Sequence, residues 1–112
     1  YNYLLELINK IGINNNNANN YIKNCYDILM ELIRAKMLIK GYNASGYRAH
    51  EAEVSYMRIL GFKETDIQFA DQIRFFRNGM LYYGRIFDKE YAEKVFNFLN
   101  KIREKINQIK KR

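Results

Sequence analysis

The side chains most suited to binding an anion lie close together in the second half of the chain. Asp71, Arg74 and Arg77 follow one another at three-residue steps, and Asn78 comes four residues after Arg74. On a helix, these steps place side chains along one stripe. Arginine offers a planar fork of donors that matches a phosphate, and a nearby carboxylate can orient it. The spacing therefore predicts a nucleotide- or RNA-binding stripe on one helix.

Two tyrosines follow this stripe in the sequence. Tyr82 and Tyr83 come five and six residues after Arg77, and a phenol ring can stack on a base or donate a hydrogen bond. A plainer interpretation is a helix with Ile73 and Phe76 on its inner side and charges on its outer side because that side is in water. The residues alone leave both interpretations open.

Other kinds of chemistry have little support in the sequence. The chain has one histidine, His50, and one cysteine, Cys25, so no pair stands at the spacing of a metal site. We expect His50 to pack or cap at the start of a helix, with a pH-sensitive role towards a ligand as the alternative. Cys25 lies among apolar residues, which predicts a buried thiol. No glycine-rich phosphate loop is present, and we expect neither a metal nor a cofactor.

Length and composition indicate one globular domain spanning residues 1–112. Hydrophobic residues make up 48% and charged residues 28% of the chain, which is a globular balance. Proline is absent, so long helices are permitted. No apolar run has the length of a membrane span and no signal peptide is visible, so a cytoplasmic protein is expected. The first residue is Tyr1, so the native start can lie upstream.

Positive charge is concentrated at the end of the sequence. The formal net charge is +7, and the segment 101–112 holds six basic residues and one acidic residue. A basic segment of this kind can attract a polyanion. It can equally be a solvated helix end whose cations suit the negative pole of the helix dipole. Both interpretations remain open.

The hydrophobic periodicity predicts five helices. They cover about residues 1–12, 20–40, 47–60, 65–83 and 88–110. Asn20, Thr65 (with Gln68 in a capping box) and Asp88 are the predicted N-caps. The asparagine-rich stretch 14–20 is predicted to be a flexible loop, because asparagine favours turns. Short connections between long helices indicate an all-α, antiparallel up-and-down bundle of four to five helices.

The apolar residues define the predicted inner faces. In the second helix these are Tyr21, Ile22, Cys25, Ile28, Leu29, Leu32, Ala35, Leu38 and Ile39, and in the third they are Ala49, Ala52, Tyr56, Met57 and Leu60. In the last helix, Ala92, Val95, Leu99, Ile102, Ile106 and Ile109 recur at alternating steps of three and four. Such a heptad seam is typical of core packing in a bundle or of a coiled-coil partner.

Two longer stretches resemble a known family. The run "DQIRFFRNGMLYYGRIFDKEYAEKVFNFLNKIREKI" resembles the C-terminal half of HEPN domains, the higher-eukaryote and prokaryote nucleotide-binding family. The upstream run "ELIRAKMLIKGYNASGYRAHEAEVSYMRILGF" is similar to the helical pair that precedes it. The similarity covers roughly residues 26–109. Its most specific part is Arg77-Asn78 in the fourth helix, followed by Tyr-Tyr-Gly and an Asp-capped last helix.

The resemblance implies a function as well as a fold. HEPN domains commonly form dimers in which the fourth-helix motifs face each other, act in RNA processing, defence or toxin–antitoxin pairs, and are often encoded beside a minimal nucleotidyltransferase. Active members cut RNA without a metal, using an arginine and a histidine four to six residues apart. Arg77 and Asn78 match the first half of that motif, whereas Tyr82 or Tyr83 stands where histidine is expected.

This departure predicts binding rather than efficient cleavage. A phenol, with an ordinary pKa near 10, is a poorer base at neutral pH than an imidazole near 6.5. We therefore expect a dimeric nucleotide- or RNA-binding module that is catalytically weak or inactive. One alternative is a metal-independent toxin endoribonuclease acting through Arg77, Asn78 and Tyr82. Another is an interaction subunit that docks a nucleotidyltransferase through the heptad seam.

Overall fold

Five helices form the whole of the regular structure that the computed structural model describes. Backbone is described for residues 1–42, 49–83 and 86–110, and side chains for the same residues except 49–50, 80–83 and 109–110. The helices are α1 (Asn2–Ile11), α2 (Ala18–Ile39), α3 (Ala49–Ile59), α4 (Glu64–Tyr83) and α5 (Lys89–Lys110). Over the described ranges there is no strand. The predicted all-α bundle of helices is confirmed.

The main core lies between α2 and α5. On α5 the predicted heptad seam is buried: Ala92, Val95, Leu99, Ile102 and Ile106 are each at most 2% exposed. They pack with the buried face of α2. The seam is therefore occupied within the chain, and a docked partner protein would have to use another surface. The side chain of Ile109 lies outside the described residues.

α2 and α5 start at the same end of the bundle. The side-chain oxygens of Asn15 and Asn19, just before and within the first turn of α2, accept hydrogen bonds from the backbone N–H groups of Lys89 and Phe87 (2.8 Å each). Because the two helices then pack along their length, they run in the same direction. α4 and α5, in contrast, run in opposite directions. Asp66, near the start of α4, accepts a hydrogen bond from Lys101 in the second half of α5 (2.7 Å).

Aromatic side chains fill the space between α4 and α5. Phe69 packs edge-on against Phe98, with ring centroids 4.7 Å apart. Phe76 lies 5.5 Å from Tyr91, and Phe87 lies 5.2 Å from Tyr91. The Phe69–Phe98 and Phe76–Tyr91 pairs are edge-to-face, an arrangement that adds to the stabilisation from burial alone. This aromatic layer fixes α4 relative to α5.

The asparagine-rich segment makes defined hydrogen bonds, and the loop predicted over 14–20 is shorter in the structure because residues 18–20 belong to α2. The flexibility predicted for the remainder stays a prediction. The side-chain oxygen of Asn14 accepts from the backbone N–H groups of Asn16 and Asn17 (2.8 and 3.0 Å). The side chain of Asn17 in turn accepts from the Asn14 N–H and donates to the Gly12 carbonyl. These bonds form a compact turn, and α2 begins at Ala18 rather than at Asn20.

Two predicted inner faces are partly wrong. On α2, Ala35, Leu38 and Ile39 are exposed, while Met30, Ile33 and Met37 are buried. On α3, Ala52 is exposed and Glu53 is fully buried. The reason is that both helices carry apolar side chains on more than one face, so periodicity cannot decide which face the neighbouring helices cover.

The helix ends follow the predicted signals at Gly41, Gly61 and Asp88, whereas the predicted N-caps Asn20 and Thr65 both lie inside helices. Gly41 and Gly61 have φ of +85° and +89°, a left-handed conformation in which glycine carries no side-chain penalty. Asp88 caps α5 by accepting from the Tyr91 N–H at 2.9 Å. α4 begins at Glu64, so Thr65 lies inside the helix and is not its cap.

The first three cations of the basic C-terminal segment bind the rest of the chain. Lys101 pairs with Asp66, Arg103 lies over the ring of Tyr1 at 3.9 Å, and Lys105 lies over the ring of Phe62 at 4.7 Å. These contacts fasten α5 to the start of the chain and to the α3–α4 turn. The side chains of residues 110–112 lie outside the described part. No helix that the structure describes is long and apolar enough to cross a membrane.

We expect the substitution Ile102→Ala to lower the free energy of unfolding by about 2–5 kcal/mol, because it leaves a cavity at the centre of the α2–α5 interface. Ile86→Ala is the matched control. Its side chain is 81% exposed, so its effect should stay within about 0.5 kcal/mol. Urea denaturation followed by circular dichroism measures both. Equal effects of the two substitutions would contradict the assignment of the core.

The substitution Asn19→Ala should lower the free energy of unfolding by about 1 kcal/mol, because it removes the acceptor of the Phe87 N–H. Asn16→Ala provides the control, since the Asn16 side chain is exposed and makes no hydrogen bond within the described residues. The same denaturation assay compares them. A destabilisation by Asn16→Ala as large as that by Asn19→Ala would argue against a stabilising hydrogen bond between Asn19 and the Phe87 N–H.

Candidate phosphate-binding site

Four of the predicted site residues have described side chains on α4. Asp71 and Asn78 are exposed, and Arg74 and Arg77 are partly buried. Ile73 is fully buried and anchors this part of α4 in the core, and Arg77 lies one turn further along the same face. The side chains of Tyr82, Tyr83 and His50 lie outside the described residues, so their predicted roles stay predictions.

Arg74 is oriented by a carboxylate on its own helix. Its Nε donates to Asp71 Oδ1 at 2.8 Å, as the three-residue spacing predicted. Within the described part of the chain, the terminal amino groups of this guanidinium make no further hydrogen bond. One edge of the fork is therefore fixed, and the other edge carries donors that a bound anion could use.

Arg77 is oriented by a carboxylate on a different helix. Its Nε donates to Asp27 Oδ1 on α2 at 3.1 Å, and its guanidinium lies 5.8 Å from the ring centroid of Tyr26. The two partners stand fifty residues away in the sequence, and no motif linked them to Arg77. The pairing repeats the pattern of Arg74, since again the Nε edge is bound.

The two arginines surround the same buried phenol. Burial is the largest effect on the pKa of Tyr26 and raises it well above the ordinary value of a phenol. The positive charges of Arg74 and Arg77 oppose that rise, and the negative charges of Glu53 and Asp27 support it. Tyr26 therefore stays neutral at physiological pH. Its position shows that residues from α2, α3 and α4 form one electrostatic cluster.

A cleft of about 340 Å³ opens between α3 and α4. Val54 and Ile67, both buried, form its apolar floor, and Asp71 and Arg74 lie along its α4 wall. Arg77 and Asn78 do not line it. The structure therefore divides the predicted stripe: Asp71 and Arg74 face this cleft, whereas Arg77 pairs with α2.

The opposite wall of the cleft carries a second guanidinium that is already engaged. Arg58 donates through Nε and Nη2 to both carboxylate oxygens of Glu64. This pairing raises the pKa of Arg58 and lowers that of Glu64. Among the lining residues, the cations Arg58 and Arg74 are matched by the carboxylates Glu51 and Asp71. The charged residues that line the cleft therefore sum to no net charge.

A buried ion pair holds α3 in the position that forms the cleft wall. Glu53 is fully buried and accepts from Arg34 Nε on α2 at 3.1 Å. Burying a carboxylate is costly unless it is paired and hydrogen-bonded, so this contact favours one placement of α3 against α2. Sequence periodicity gave no sign of it, because a glutamate inside a helix is expected on the wet side.

Metal ligands are not grouped in the part of the chain that the structure describes. No three histidine, cysteine, aspartate or glutamate side chains come together there.

Comparisons with models of protein families, with curated proteins and with solved structures gave no match. The resemblance to HEPN domains accordingly rests on the sequence features described above.

Cys25 lies close to this cluster on α2 and is predicted to be unreactive in the folded protein. It is buried, and burial raises the pKa of its thiol to about 12. Because the thiolate is the reactive form, we expect alkylation by iodoacetamide at pH 8 to be at least about a hundredfold slower in the native protein than in 6 M guanidinium chloride. Mass spectrometry measures both rates. Equal rates would show that the reagent reaches Cys25 in the native protein, and would contradict the burial of this side chain.

Proposed function

We propose that this chain is a HEPN-like helical module that binds the phosphate of a nucleotide or of RNA through Arg74 and Arg77. The observation that supports it most directly is the shared geometry of the two side chains. Each guanidinium is held at its Nε edge by an aspartate, and within the described part of the chain its terminal amino groups make no hydrogen bond. The side chains of Arg74 and Arg77 are 23% and 19% exposed.

Preorganisation explains why such an arrangement favours binding. An arginine side chain loses several rotatable bonds of freedom when it binds a ligand, and this loss weakens affinity. Asp71 and Asp27 have already ordered the two side chains in the unbound protein. Charge-assisted hydrogen bonds to a phosphate are then formed with less loss of entropy. Asn78, exposed on the same helix, would supply an amide to the phosphate or to a base edge.

The same aspartates limit the strength of binding. Each cancels much of the positive charge of its arginine, so a phosphate does not meet an uncompensated cation. We therefore infer a weak and salt-sensitive interaction. Two phosphate contacts on single-stranded RNA would give a slope of about −1.4 when the logarithm of the affinity is plotted against the logarithm of the salt concentration.

Pairing of two copies belongs to the same proposal. Phe75 follows Arg74 on α4, and its ring is 63% exposed. Covering an aromatic ring of this size by a second copy would contribute about 1.5–3 kcal/mol, and it would bring two arginine pairs towards one shared RNA. Cleavage is not part of the proposal, because Tyr82 stands at the position where active members of the family have histidine.

The substitution Arg77→Ala should weaken binding of a fluorescein-labelled single-stranded RNA roughly tenfold at 50 mM salt, and Arg74→Ala should act similarly. Lys10→Ala is the matched control, since it removes one exposed charge from α1, far along the chain from the site. Fluorescence anisotropy gives the dissociation constants, and circular dichroism checks the fold.

The salt dependence provides a second readout of the same variants. Loss of one phosphate contact should reduce the slope by about 0.7. If both arginine variants bind RNA as tightly as the Lys10→Ala control, the proposed site is wrong. If RNA is cut in the presence of EDTA and the cutting is lost in Arg77→Ala, the chain is a nuclease rather than a binding module.

A further inference from the structure

A second surface feature, a groove, runs between α1 and α2. It consists of two adjoining cavities of about 280 and 340 Å³, and Leu7 and Asn24 line both of them. The groove therefore extends along most of α1, which has ten residues and a length of about 15 Å. An elongated groove of this kind accommodates a chain segment better than a compact small molecule.

The α1 wall of the groove is an apolar ridge. Tyr3, Leu7 and Ile11 recur at four-residue steps, so their side chains follow one another along the helix. The two outer members are unusually exposed for their type, Tyr3 at 72% and Ile11 at 61%. A row of large apolar side chains in water is a surface on which a partner gains free energy by burial.

The α2 wall is mainly polar, with Tyr21 and Ile28 as apolar members; one end of it is acidic, and Lys23 lies towards the other end. Asn20, Asn24, Asp27 and Glu31 follow at steps of four, three and four along one side of the helix, and all of them line the groove. The carboxylates of Asp27 and Glu31 stand one turn apart. Arg77 is the only cation paired with either of them in the described part of the chain.

We propose that the groove docks an amphipathic helix of a partner protein, with an apolar row against Tyr3, Leu7 and Ile11 and a basic residue against Asp27 and Glu31. Charge complementarity selects this occupant, because one wall is apolar along its length and the other is acidic at one end. Helix-in-groove recognition uses anchors spaced by three and four residues, which matches the spacing of both walls.

Docking at this groove would also act on the arginine site. Asp27 both lines the groove and holds Arg77 at 3.1 Å. A partner cation that pairs with Asp27 competes with Arg77 for that carboxylate. Arg77 then keeps its charge with less compensation and binds a phosphate more strongly. This coupling rests on the proposed function, whereas the docking itself does not.

The probe is a synthetic helical peptide of 18 residues, labelled with fluorescein. It carries leucines at steps of four, three and four, and two arginines one turn apart beside one end of the leucine row. One control peptide has glutamates in place of the arginines, and another has serines in place of the leucines. Fluorescence anisotropy should show the arginine peptide binding at least about tenfold tighter than either control.

Variants of the protein locate the peptide. Asp27→Asn and Glu31→Gln should each weaken binding of the arginine peptide about tenfold, whereas Glu90→Gln, an exposed carboxylate on α5, should leave it unchanged. Arg77→Ala should tighten peptide binding about threefold, because Asp27 loses its internal partner. Circular dichroism of each variant confirms that the fold is retained.

Each outcome decides the question. Equal binding of the arginine and glutamate peptides, or no effect of Asp27→Asn and Glu31→Gln, overturns the docking site. If the serine peptide binds as tightly as the arginine peptide, the arginine side chains alone account for binding and the apolar row contributes nothing. This result also overturns the proposal. In a separate titration, saturating arginine peptide should raise the affinity for 5′-AMP several-fold. If 5′-AMP fails to bind with or without peptide, the proposed function fails while the docking result stands.

Discussion

Burial of α2 is the constraint on which the rest of the structure depends. This helix packs against α3, α4 and α5, and nine of its side chains are buried, from Ala18 to Met37. A single 22-residue helix can be covered on several sides only if its neighbours share the space around it. α5 takes the longest contact through its heptad seam, and α3 and α4 occupy the remaining sides. The arginines of α4 are brought beside α2 by this packing.

Most of the ion pairs in the described part of the chain join two helices. Arg34 with Glu53, Arg77 with Asp27 and Lys101 with Asp66 each join two helices. Such pairs contribute modestly to stability when exposed, and more when one partner is buried. Their main effect here is to fix orientation. The net charge of +7 already counts these carboxylates, so pairing changes the distribution of the positive charge and not its total.

The two proposed surfaces share one residue, and this gives the molecule a physical route for coupling. Asp27 lies on α2 between the arginine site and the α1–α2 groove, and one carboxylate cannot fully satisfy cations on both sides. A carboxylate shared in this way would couple peptide docking in the groove to phosphate binding at Arg77 without any change of fold, since only the pairing of the Asp27 side chain has to change. The sharing is a consequence of α2 being central, with α1 on one side and α4 on the other.

The sequence by itself determined the helices, their approximate ends, the α5 seam and the Asp71–Arg74 pair, because all of these depend on residues three or four positions apart or on a local cap. Only the tertiary structure decided which face of α2 and α3 is inner, that Glu53 is buried, and that Asp27 holds Arg77. These features depend on which helix covers which face, and that choice is made by the packing of the whole chain. The asparagine-rich turn falls in the same class, since Asn15 and Asn19 are ordered by backbone groups some seventy residues away.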